Sequence, residues 1–126
     1  MDVNKKVSSH LLVQVQNTPF ACARARETLD SLMMLASFDV PLCVVFRDEG
    51  VWQLVATQET AIQADAITPV LKAFPHYDIH DLFVLDSSLF ERGLEKKDLL
   101  SNVKIIDQAY LNQLIHKAGY IYAISL

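Results

Sequence analysis

Two cysteines, a short run of histidines and aspartates, and a set of scattered acids are the groups in this 126-residue chain whose types suit chemistry. Cys22 follows Thr18-Pro19, which reads as a helix cap and a first-turn proline, so its thiol is expected in the first turn of a helix. There the helix dipole and the unsatisfied N–H groups favour a thiolate, the form that attacks and carries sulfur. Phe20, Ala21 and Ala23 around it equally suit a small packed side chain, the commoner fate of a free cysteine. Cys43 lies inside the apolar run Pro41-Leu42-Cys43-Val44-Val45-Phe46 and reads as structural.

His76, Asp78, His80 and Asp81 offer ligand types that suit zinc or iron. Pro75 precedes them and a strand follows, so the spacing does not bring both imidazoles to one helix face, and a polar loop accounts for them. Asp48, Glu49, Asp86 and Asp107 fall near the expected carboxyl ends of strands, as in a magnesium pocket. Such a pocket also needs acids after the first strand, where this chain has Gln16-Asn17, so these acids read as caps and loop residues. Gly50, Gly93 and Gly119 form neither GxGxxG nor a Walker loop. Ser87-Ser88 has no GxSxG elbow and is expected to cap the helix that follows. The expectation is therefore no metal, no nucleotide and no other cofactor.

The elements that position these groups alternate in type. Leu11 to Gln16 is β-prone, and Ala25, Leu29, Leu32, Met33 and Ala36 then recur at helical spacing. Pro41 to Phe46 is apolar without alternation, as a strand covered on both faces of a parallel sheet must be. Ala64 to Phe74 suggests a helix interrupted by Pro69, Leu82 to Leu85 a third strand and Val103 to Ile106 a fourth. Asp107 suits the cap of a helix with Tyr110, Leu111, Leu114 and Ile115 on one side, ended by Gly119. Tyr120 to Ile124 is the last strand. Strands separated by helical segments imply a three-layer α/β sandwich, a mostly parallel five-stranded sheet with helices on both faces, in a single domain over residues 1–126.

Composition narrows the function. A formal charge of −4 and a pI of about 5.4 provide no basic field for a phosphate backbone, so direct nucleic-acid binding is not expected. No apolar run approaches a membrane span, and residues 1–9 are polar and expected to be flexible, which points to a cytoplasmic protein with reduced thiols. Hydrophobic residues make up 52% and the mean hydropathy is +0.22, a surplus that in so small a domain implies surface covered by a partner. Trp52, between Val51 and Leu54, reads equally as core or as an interface anchor.

Four segments taken together carry a resemblance: Glu27-Thr28-Leu29-Asp30-Ser31-Leu32, Phe46 to Leu54, Tyr77-Asp78-Ile79, and Ser88-Leu89-Phe90-Glu91-Arg92-Gly93-Leu94. In order and spacing they resemble the C-type branch of the DsrE/DsrF-like sulfur-relay family. The resemblance implies that family's fold and a TusBCD-type heterohexamer of B-, C- and D-type subunits, two copies of each. Such an assembly passes persulfide sulfur toward 2-thiolation of the wobble uridine in certain transfer RNAs, and related complexes serve sulfur oxidation.

The family's persulfide-carrying cysteine belongs to the D-type subunit, and counting back from Gly93 its position matches Leu85 here. Leucine cannot hold sulfane sulfur. The resemblance therefore implies a non-catalytic subunit that binds TusB-like and TusD-like sisters, with Trp52, Ser88, Leu89, Phe90 and Arg92 as the expected partner-facing residues. The loop Asn17 to Cys22 departs from relatives that have glycine there. The alternatives are a DsrF-type subunit of a sulfur-oxidation complex, a thiol carrier acting through Cys22, and a stand-alone small-molecule binder.

Overall fold

The computed structural model describes residues 11–16, 24–38, 40–55, 74–77, 79, 81–100 and 102–124. Five parallel strands form one sheet: β1 (Leu11–Val15), β2 (Leu42–Phe46), β3 (Asp81–Leu85), β4 (Lys104–Ile106) and β5 (Tyr120–Ile124), in the order β4-β3-β2-β1-β5. Among the described residues three α-helices accompany them: α1 (Arg24–Ser37), α2 (Asp86–Glu91) and α3 (Gln108–Lys117). Short 3-10 helices span Asp48–Leu54, Phe74–Tyr77 and Lys96–Asp98.

Alternation along the strands divides the core into two. Val13, Val15, Val44, Phe46, Leu82 and Val84 face one side, where Leu29 and Leu32 of α1 pack with Val51 and Leu54 of the 3-10 helix. Leu12, Cys43, Val45, Phe83, Leu85 and Ile106 face the other side, against Leu111, Leu114 and Ile115 of α3. Covered on both faces, β2 is buried at every residue, which is why its sequence shows no alternation. The expected three-layer sandwich is the observed architecture.

Asp107 caps α3 as expected: its Oδ1 accepts the Tyr110 N–H at 2.8 Å. Tyr110 itself is exposed on this helix, and its ring meets Phe83 edge-on with centroids 5.8 Å apart. The expectation for Ser87-Ser88 is corrected. Both serines lie within α2, Leu85 occupies the cap position without a side-chain bond, and the Ser88 hydroxyl serves a different segment. The expected helix Ala64 to Phe74 lies outside the described residues except for Phe74, which is fully buried and opens the 3-10 turn Phe74–Tyr77. Thr18, Pro19 and Cys22 also lie outside them. Among the described residues no helix is long and apolar enough to cross a membrane.

Candidate functional site at the carboxyl end of the sheet

In open parallel sheets, ligands and chemistry gather beyond the carboxyl ends of the strands. Here that end is built by the segments leaving β2 and β3. After β2, Arg47 keeps the ladder going by donating its N–H to the Val15 carbonyl at 3.0 Å, and the chain then turns into the 3-10 helix through Asp48 at φ 53°. That left-handed conformation is uncommon for a residue with a side chain, although Asp tolerates it better than most. The Asp48 N–H donates at 2.9 Å to Oγ of Ser88, which lies on the buried face of α2.

A second set of contacts binds the same two segments. Arg92 Nε and Nη2 both donate to Glu49 Oε2, at 3.1 and 2.9 Å, while its Nη1 donates to the Ser88 carbonyl at 3.0 Å. Further along, the Leu100 N–H donates to the Leu54 carbonyl at 2.9 Å and Val55 bridges Leu99 in antiparallel fashion. The turn after α2 uses Gly93 at φ 67°. Gly50 is needed for a different reason. A Cβ there would lie 2.1 Å from the Val15 carbonyl oxygen, so only glycine lets the 3-10 helix lie against the end of β1.

Arg47 holds the adjoining corner. Its Nη1 donates to Gln14 Oε1 at 2.9 Å, and its Nε lies 3.5 Å from Asp48 Oδ2, an ion pair without hydrogen-bond geometry. Sequence reading passed over this pair. The available signal was Gln14, a polar residue in the middle of an apolar strand, 9% exposed and in need of a partner.

Leu85 stands where β3 becomes α2, is 2% exposed, and packs in the α3-side core with Val45 and Ile106. An apolar side chain sealed into the core leaves neither nucleophile nor general base at this position. Of the expected partner-facing residues, Phe90 is 85% exposed, Trp52 is half-buried against the core, and Arg92 is engaged with Glu49. Ser88 and Leu89 point inward, at 2% and 4%, because the helix is so short that one face must cover the core.

Cys43 is sealed as well. Burial first, and then the Asp81 carboxylate, push its thiol up to about 12 from an ordinary 9.0, so at neutral pH it stays protonated and inert. His76 is exposed, while Asp78 and His80 lie outside the described residues. Among the described residues, no three His, Cys, Asp or Glu side chains converge as a ligand set. A groove of about 460 Å³ runs along β4, with Phe83, Lys104, Asp107 and Tyr110 among its walls. It does not include Leu85 or the contacts around Ser88 and Arg92.

The architecture has relatives. In the crystal structure of the ychN protein from E. coli the fold superposes with a TM-score of 0.79, at 14% identity, over 92% of this chain and 99% of that one. A TusC homolog from Vibrio vulnificus is 34% identical over 114 residues, covering 90% of this chain and 97% of the relative. A TusC homolog from Pseudomonas aeruginosa is 33% identical over 112 residues, covering 88% and 94%. The intracellular sulfur oxidation protein DsrF from Allochromatium vinosum is 27% identical over 123 residues, covering 86% and 90%. A sequence model of the DsrE/DsrF-like family matches residues 9–122, and the chain belongs to that family.

Proposed function

We propose that this chain is a subunit of a multi-protein sulfur relay and supports persulfide transfer without carrying sulfur itself. The observation that supports this most directly is Leu85. At the sheet end where the family resemblance puts the relay thiol, the side chain is apolar and 2% exposed. Sulfur relay needs a thiolate to attack and a sulfur atom to hold the cargo. Cys43 has the sulfur atom but offers no thiolate while its thiol stays protonated within the core.

The similarity to TusC homologs favours a TusBCD-type heterohexamer with B-type and D-type sisters, acting in the cytoplasm toward 2-thiolation of the tRNA wobble uridine. The similarity to DsrF favours the second reading, a place in a sulfur-oxidation complex. In both, the work of this chain is shape. The contacts among Asp48, Ser88, Glu49 and Arg92 fix the surface that carries Phe90.

The test is co-expression with B-type and D-type sisters, followed by native mass spectrometry and a persulfide-transfer assay. The expected result is a defined complex in which omission of this chain lowers transfer, while the isolated chain holds no cyanide-labile sulfur. A stable monomer that ignores both sisters, or turnover-competent sulfane sulfur on the isolated chain, overturns the reading. If sulfane sulfur is found and Cys22→Ser abolishes it, the chain is instead a carrier acting through Cys22.

A further inference from the structure

At the carboxyl end of the sheet one apolar ring stands clear of the fold on an ordered support. Phe90 is 85% exposed, more than any other large hydrophobic side chain among the described residues. Its backbone is tied down on both sides. Leu89 before it is buried, the Arg92 and Leu94 N–H groups both donate to the Leu89 carbonyl, and the Gly93 N–H donates to the Phe90 carbonyl at 3.2 Å. Arg92 then fastens the turn to the segment after β2 through Glu49. A ring held out on a fixed backbone loses little freedom when another protein buries it, which is what an interface anchor requires.

The charges around this ring are one-sided. The exposed face of α2 consists of Asp86, Ser87, Phe90 and Glu91, and a helical side chain at position 90 leans back over the turn that carries Asp86 and Ser87. Asp48 and Glu49 adjoin that face, bonded to α2 through Ser88 and Arg92. The two cations of this corner are turned inward. Arg92 is 17% exposed and divided among Glu49, Glu91 and the Ser88 carbonyl, while Arg47 is divided between Gln14 and Asp48. The carboxylates of Asp48, Glu49 and Glu91, by contrast, are 48%, 55% and 68% exposed, and Asp86 is exposed with them.

We propose that Phe90 docks in an apolar pocket of a sister subunit whose rim carries Lys or Arg side chains. Charge complementarity identifies this occupant. A second copy on the same patch would set acid against acid, and a phosphate backbone or an anionic lipid surface would be repelled likewise. A basic rim gains attraction to Asp86 and Glu91, and the packed ring keeps water away from those pairs. The docking rests on the subunit reading above and adds to it the chemistry of the partner surface.

The test measures binding of the full-length chain to immobilised B-type and D-type sisters at low salt and at ~0.5 M NaCl, where exposed charges are screened beyond a few ångströms. Phe90→Ala should weaken binding tenfold or more, whereas Phe38→Ala, which removes a ring 73% exposed after α1, should leave it unchanged. Asp86→Asn with Glu91→Gln should weaken binding about fivefold at low salt and match the wild type at high salt. Glu27→Gln with Asp30→Asn removes as many charges from α1 and should keep the wild-type salt dependence. Circular dichroism establishes that each variant is folded, and Glu91→Gln alone replaces the α2 pair if that pair does not fold.

Sister binding that Phe90→Ala leaves unchanged overturns the docking while the subunit reading stands. Wild-type binding that is independent of salt or tightens as salt rises overturns the basic rim, as does a neutralised α2 face with the wild-type salt dependence. A wild type that binds neither sister at any salt sinks the subunit reading itself.

Discussion

Replacing Gly50 with alanine separates a steric demand from a conformational one, and Gly93 supplies the comparison. An added Cβ at Gly50 would sit 2.1 Å from the Val15 carbonyl oxygen and 2.8 Å from its carbon. An ordinary carbon–oxygen contact is about 3.3 Å or more, so the 3-10 helix must retreat by roughly 1 Å. Val15 lies in a strand paired on both sides and cannot yield. The retreat stretches the bond from the Arg47 N–H to the Val15 carbonyl, now 3.0 Å. Losing that bond costs about 1 kcal/mol and overpacking adds ~1–3, for a total of about 2–4 kcal/mol. Gly93 has φ 67° with nothing within 4 Å of its would-be Cβ. Alanine there carries only the left-handed penalty of about 1–2 kcal/mol. Urea denaturation of the two variants beside wild type is the assay. At roughly 4 °C per kcal/mol for a domain of this size, melting should fall by about 8–16 °C for Gly50→Ala. A Gly50→Ala midpoint no lower than that of Gly93→Ala refutes the close approach of the 3-10 helix to β1.

Three more outcomes follow from the same geometry. Ser88→Ala removes the acceptor of the Asp48 N–H and should cost about 1–3 kcal/mol in urea denaturation, with Ser87→Ala, on the exposed side of α2, close to neutral as the control. Arg92→Ala should cost about 1 kcal/mol or less, since Glu49 is half-exposed, yet should weaken capture of sister subunits measurably in a pull-down because the turn below Phe90 loosens. Cys43 should resist iodoacetamide until the chain is unfolded. Its thiol is raised on folding, so between about pH 9 and 12 the unfolded chain releases a proton that the folded chain keeps, and stability declines as pH rises. Cys43→Val should flatten that decline in melting temperature against pH, and an equally steep curve would contradict the sealed thiol.

The regular elements were legible because their causes are local. β2 announced itself through an unbroken apolar run, and α3 through the Asp107 cap and the spacing of Leu111, Leu114 and Ile115. The site was less so. Ser88 looks like a cap beside Ser87, but its bond is to Asp48, a residue brought near only by pairing of β2 with β3. The 3-10 helix Asp48–Leu54 depends on Gly50 fitting against Val15, and the Arg47–Gln14 bond on the β1–β2 register. Long-range contacts of this kind leave no periodicity in the chain. Phe90, expected to face a partner, lies exposed, whereas the inward turn of Ser88 and Leu89 follows from which face of a six-residue helix meets the core.

β1 precedes the other strands of the sheet in sequence, yet it lies between β2 and β5 and needs both neighbours. During synthesis its outer ladder therefore stays open until Tyr120–Ile124 has left the ribosome, with apolar backbone available to any passing strand for nearly the whole interval. Yield in cells should thus depend on how quickly that late segment arrives and on chaperones that guard the nascent sheet, more than on the stability of the finished fold.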